Sequence, residues 1–227
     1  MPTFEILSER LRNSIRKNDE EKAKDACYEI FDWGGVGKGE GDASRIWIRD
    51  QCNRGLLVQD LVKAVKNLNP SSVCAHDRSI WGAGKLLFNS AMTKVYAAAD
   101  EEQSVPIYDG RVGAALCLLA QRYSTAKVQG EVPLSLRFLW GRKKAYWREG
   151  DHENNMRRQA EARQMRDPSL ATHGERFDEI YQVCDADRAQ VARVAGLVLY
   201  AASIQIEQSG APRPDVRDLE KALFMIG

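Results

Sequence analysis

The chain has 227 residues and a mass of 25.5 kDa, is 44% hydrophobic and 29% charged, and carries a formal net charge of +1. That length can bury a core without covalent staples, and no uninterrupted apolar run approaches the roughly 20 residues that a membrane helix needs. A balance so close to neutral argues against a uniformly basic nucleic-acid binder, so any phosphate contact has to come from a local basic segment.

The N-terminal stretch MPTFEILSERLRNSIRKNDEE mixes charge into its apolar positions and lacks the apolar middle of a signal peptide. A cytoplasmic monomer is expected. Phe4, Leu7, Leu11 and Ile15 recur at helical spacing, Ala23, Cys27, Ile30 and Phe31 do so again, and Leu57, Leu61, Val65 and Leu68 form a third stripe. A further helix is expected to start near Asp77, Arg78 or Ser79 and to run through Leu86, Leu87, Ala91, Val95 and Ala98, with Gly82 and Gly84 weakening its first turns. Another follows Asp109, carrying Val112, Ala115, Leu116 and Leu119.

Beyond Arg122 the pattern loosens into an irregular, densely charged segment, with a short helix expected around Asn154 to Arg166. Val191, Val194, Ala195, Val198, Ala201, Ala202 and Ile204 then mark a helix apolar enough to be central to its lobe. After the Pro-Arg-Pro break at 212 to 214, Asp215 is a natural N-cap for a closing helix. Strand-like alternation is scarce. The fold class is all-α, a compact bundle of two lobes, about 1 to 75 plus 175 to 227 and about 76 to 174.

Five cysteines (Cys27, Cys52, Cys74, Cys117 and Cys184) are odd in number and form no C-x-x-C pair, so neither a disulfide framework nor a zinc site is suggested. The three histidines have no partner at ligand spacing, and neither a metal nor a cofactor is expected. The glycine-rich stretches WGGVGKGEG (33 to 41) and WGAGKL (81 to 86) tempt a phosphate-loop reading. Both fail on spacing: Gly39 and Leu86 stand where a magnesium-binding Ser or Thr belongs, and neither stretch follows a strand. They read as turns.

From Leu136 to Arg166, nine basic residues, among them Arg142, Lys143, Lys144 and Arg148, face four acidic ones and are interleaved with Phe138, Trp140, Tyr146 and Trp147. Cations neutralise a phosphate backbone while aromatic faces hold bases, so this segment suits DNA. A solvated helix with core aromatics fits the same pattern.

Lys94 sits within the alanine-rich MTKVYAAA, where its helical neighbours Ser90, Ala91, Ala97 and Ala98 are small. A lysine stem bordered by short side chains can lie beside a cleft, and partial desolvation would favour the neutral amine that nucleophilic attack requires. Asp109 follows the rigid Val105-Pro106-Ile107-Tyr108 link and opens the next helix, where it can serve as N-cap. A carboxylate fixed in this way could also stabilise the positive charge that develops on a sugar as its base departs.

Thr93-Lys94-Val95, followed by Val105-Pro106-Ile107-Tyr108-Asp109 and Arg111-Val112, resembles the T-K-V … V-P-V-D … V segment of the helix-hairpin-helix DNA glycosylases, in particular the 8-oxoguanine glycosylases and their small bacterial relatives. The match covers roughly residues 80 to 123, and the closing ALFMIG is similar to the end of the small bacterial members. The resemblance implies a two-lobed helical fold, Lys94 as nucleophile and Asp109 as the assisting carboxylate. It also implies double-stranded DNA with a flipped nucleotide as partner, and a damaged or phage-modified base as the group removed. Trp81, Tyr96, Tyr108 and Trp140 are then candidates for stacking or wedging, and Arg111 lies in the matched segment.

The chain departs from the family at the hairpin. Asn89-Ser90-Ala91-Met92 stand where the family carries L-P-G-V-G. An alternative alignment takes Lys85 as the nucleophile, but its interval of 24 residues to Asp109 is long beside the 15 from Lys94. The competing function is a non-enzymatic helical nucleic-acid-binding or adaptor protein that uses the basic aromatic segment.

Overall fold

A computed structural model describes residues 2–70, 76–128, 131–141, 152–164, 167–168 and 177–227. The described chain is all-α, without a strand, apart from two isolated bridges, Trp81 with Leu86 and Trp140 with Glu179. Its α-helices are α1 (Phe4–Arg16), α2 (Glu20–Gly34), α3 (Ala43–Asn53), α4 (Leu57–Leu68), α5 (Met92–Ala99), α6 (Gly110–Tyr123), α7 (His152–Gln164), α8 (Asp185–Gln208) and α9 (Val216–Ile226). They fall into two compact units, the first Met1–Tyr108 with Cys184–Leu219, the second Asp109–Val183 with Glu220–Gly227.

In the first unit the expected stripes of α1, α2 and α4 form the core: Leu7, Leu11, Cys27, Ile30, Phe31, Leu57 and Leu61 are fully buried. Capping follows from sequence, since Thr3, Asp19 and Asp42 each accept a backbone amide at the start of α1, α2 and α3. The helix α3 has no counterpart among the expected stripes. It buries only Ser44, Ile48, Gln51 and Cys52, a narrow contact face inside a charged segment.

The helix expected from about 77 onward is much shorter. Gly82 and Gly84 take left-handed φ values of 121° and 70°, so the chain makes a 3-10 turn at Arg78–Ile80 and then an extended excursion before α5 begins at Met92. The intervening residues build an aromatic cluster. Trp81 meets Phe88 and Tyr96 edge-on, with centroids 5.7 and 5.8 Å apart. Its indole N–H donates to Asn67, and the Tyr96 hydroxyl donates to the Leu87 carbonyl.

The long helix α8 also differs from expectation. Its buried side is lined by Ala189, Ala192, Ala195, Gly196, Leu199 and Ser203, while Leu197, Tyr200 and Ala201 are exposed. Small residues let it approach closely, and a Cβ on Gly196 would fall 3.1 Å from the Ser104 carbonyl. It is the one described helix long and apolar enough to cross a membrane, yet Arg193 on it donates to the carbonyls of Asn67 and Asn69 in the packed unit.

In the second unit α6 buries Val112, Ala115, Leu116 and Cys117. Its first residue, Gly110, lies directly against Gly141, whose amide donates to the Gly110 carbonyl at 3.2 Å. A Cβ on Gly110 would come within 2.6 Å of the Gly141 Cα, a backbone atom that cannot swing away. Helix propensity alone would make Gly110→Ala stabilising by up to about 1 kcal/mol. The contact reverses that sign, and thermal unfolding should register a net loss of about 1–3 kcal/mol.

Candidate functional site

The helix α5 is buried along its whole length: Met92, Thr93, Lys94, Val95, Tyr96, Ala97, Ala98 and Ala99 are all enclosed. It packs against α1, α2 and α4. A helix covered on every side must be apolar all round, which explains its alanines and makes Lys94 the anomaly. Only 8% of Lys94 is exposed, whereas lysine is almost never buried without a partner. Its ammonium donates to the Ser90 carbonyl at 2.9 Å, and its methylenes lie across Gly34, the last residue of α2.

Thr93, the residue before Lys94, holds the link toward Asp109. Its hydroxyl oxygen accepts the Tyr108 amide at 2.8 Å and sits 3.4 Å from the Pro106 carbonyl, to which it donates. The same link is fixed upstream, where buried Asp100 accepts the amides of Ser104 and Val105. Arg217, also buried, donates to the carbonyls of Ala97 and Val105. The residues immediately preceding Lys94 and Asp109 are therefore joined by one buried hydrogen bond.

Asp109 is the N-cap of α6, as its position after the Pro106 link predicts. Its carboxylate accepts the amides of Arg111 at 2.9 Å and Val112 at 3.2 Å and is half-buried. Arg111 lies over the Phe224 ring at 4.4 Å. Lys94 and Tyr108 belong to the first unit, Asp109, Arg111 and Trp140 to the second.

Tyr108 and Trp140, expected to stack on a base, are core side chains at 0% and 2% exposure, and Trp140 donates its indole N–H to the Phe177 carbonyl. Neither ring offers an open face, and the same holds for Trp81 and Tyr96. Aromatic residues in a basic segment are read as stacking platforms only when they are exposed; here the hydrophobic payload of the rings takes precedence. Arg142, Lys143, Lys144 and Arg148 lie outside the described residues. Lys85, the alternative nucleophile, donates to the Ser79 carbonyl on the chain excursion between the 3-10 turn and α5.

Other chemistries find little support among the described residues. No group of three His, Cys, Asp or Glu is arranged to hold a metal ion. Burial pushes the Cys27 and Cys117 thiols well up, and burial together with its hydrogen bond to Glu21 pushes Cys52 up to about 11, so none of the three supplies a thiolate at neutral pH. Two surface clefts of the first unit, of about 390 and 360 Å³, are lined by residues such as Arg12, Lys66 and Glu101 or Tyr200, Arg213 and Asp215, and Lys94 lines neither.

Sequence reasoning missed Gly34 and the tie between Thr93 and Tyr108. The first was hidden in a stretch that reads as a turn, and the second depends on a contact across 15 residues. No family model, curated protein or solved structure matches the chain.

The Thr93 tie is open to test. Thr93→Val keeps the shape but removes the hydroxyl oxygen that accepts the Tyr108 amide, and chemical denaturation should show a loss of about 1–3 kcal/mol, with Thr93→Ser recovering most of it.

Proposed function

We propose that the chain is a DNA glycosylase of the helix-hairpin-helix type, with Lys94 as nucleophile and Asp109 as the carboxylate that stabilises the developing sugar cation. The observation that carries the reading is a lysine kept on a helix enclosed on every side. Burying it costs free energy that a methionine of similar size would not, and a fold retains such a residue where its chemistry is used.

In support of the reading, the tie between Thr93 and Tyr108 holds together the two stretches of the first unit that carry the resemblance. Asp109 as N-cap fits its role too. Two backbone amides hold one carboxylate oxygen, Oδ1, leaving Oδ2 for electrostatic work. The sequence from Leu136 to Arg166, with nine basic residues against four acidic ones, supplies charge suited to a phosphate backbone.

In the proposed reaction the target nucleotide leaves the stack, and the neutral Lys94 amine attacks its anomeric carbon. A new C–N bond forms as the glycosidic bond breaks, and the electron pair leaves with the base, which takes up a proton. Asp109 offsets the positive charge on the sugar meanwhile. Opening of the sugar ring gives an imine to Lys94, from which strand cleavage can proceed. The substrate is an oxidised purine or a modified base of phage DNA, so the role is repair or antiviral defence.

Borohydride reduces such an imine to a stable amine and leaves the enzyme attached to DNA. Duplex oligonucleotides carrying 8-oxoguanine or phage-type modified cytosines should give a covalent band with the native chain and none with Lys94→Gln. Asp109→Asn should slow the reaction by about 10²-fold or more, the scale seen when a transition-state charge partner is removed. DNA binding with neither base release nor adduct on any of these oligonucleotides would instead favour the adaptor reading.

Activity and stability should separate at the same position: Lys94→Met is expected to fold with an unchanged or higher thermal midpoint, since a buried polar head is replaced by an apolar one of similar size.

A further inference from the structure

The glycine run from Gly34 to Gly41 fails as a phosphate loop, and its members sort by cause. Gly35, Gly37 and Gly39 have φ values of 62°, 60° and 85°, so backbone conformation accounts for them. Gly41 has open space around it. Gly34 is different: it ends α2 without a left-handed backbone, and a Cβ there would fall 2.6 Å from Cδ and 2.8 Å from Cε of Lys94. The next nearest atom is a Val36 methyl at 3.4 Å, an ordinary separation.

The geometry points to Gly34 as a positioning residue for Lys94: the space left by its missing side chain is the groove through which the lysine stem passes, and that path decides where the amine ends. The two helices that meet there, α2 and α5, are packed elements of one unit. The overlapping atoms are methylenes of a flexible chain, so an added methyl displaces the lysine and leaves the backbones in place. Displacement draws the amine away from the Ser90 carbonyl that now holds it. What the amine then does to DNA rests on the glycosylase reading, whereas its placement does not.

Two measurements separate the parts. Trace acetylation of the folded chain with acetic anhydride, read lysine by lysine by peptide mass spectrometry, reports how the Lys94 amine is held. In Gly34→Ala it should react faster by about tenfold, the factor that accompanies loss of one hydrogen bond. The other described lysines, and Lys94 itself in the Gly41→Ala control, should keep their native rates.

Borohydride trapping reports use. Gly34→Ala should form adduct about 10²-fold more slowly, as for a reacting group misplaced by about an ångström. An unchanged Lys94 acetylation rate overturns the inference, as does adduct formation at the native rate. Faster acetylation in a chain whose native form never traps DNA upholds the placement and defeats the glycosylase reading. If Gly34→Ala costs stability, the cost should vanish in a Lys94→Ala background, where the methyl finds space. A cost that persists there overturns the inference as well.

Discussion

The constraint on which the first unit depends is the enclosure of α5. Its eight residues are all buried between α1, α2 and α4, so every position on it is read by a neighbour. Alanines and Val95 meet this demand cheaply. Thr93 and Lys94 meet it only because their polar atoms have partners: the hydroxyl takes the Tyr108 amide, and the ammonium reaches the Ser90 carbonyl. A central helix that carries polar groups must export their hydrogen-bonding needs to the surrounding chain, and the segment from Asp100 to Tyr108 is shaped by that requirement. Asp100 gathers the amides of Ser104 and Val105, Arg217 holds the carbonyls of Ala97 and Val105, and Thr93 closes the far end.

This arrangement ties the proposed nucleophile to the fold of the first unit. The run that follows α5 as far as Tyr108 is extended, made stiff by Pro106 and fastened on both sides within the first unit. Gly196 on α8 adds a close approach to the same link, where a side chain would press on Ser104 and Pro106. Rigid support of this kind is what a reacting group needs, because a loosely held amine loses its orientation to thermal motion.

Much of this was legible in the sequence, and the exceptions have physical causes. The stripes of α1, α2 and α4 were readable because each buries one broad apolar face, and the Asp109 cap because proline and aspartate mark a helix start by local rules. The α5 region was harder. Its apolar positions continue at helical spacing back through Leu86 and Leu87, but the left-handed glycines at 82 and 84 break the backbone there, and the aromatic cluster of Trp81, Phe88 and Tyr96 is built from tertiary contacts that no spacing encodes. The apolar surface of α8 pointed to a central helix, yet its packed side is the small-residue one, because close approach outweighs bulk where a second backbone lies near. The aromatic residues of the basic segment fitted either stacking platforms or core rings; Trp140 is a core ring, its indole paired inside the second unit.

The same contrast explains why Lys94 and Gly34 belong together although neither announces the other. A lysine in an alanine-rich helix suggests a surface residue, and a glycine in a glycine-rich run suggests a turn; each is the commonplace interpretation of its own neighbourhood. Packing removes both. On an enclosed helix the lysine stem needs a channel, and the only way to open one across a facing helix without loosening the core is to delete a side chain there. A glycine at the last position of α2 does this at small cost to helix propensity, since the helix is about to end at the left-handed Gly35. The buried amine and the absent methyl are thus two halves of one packing solution, and the polar head it accommodates is the feature that a core built only for stability would have discarded.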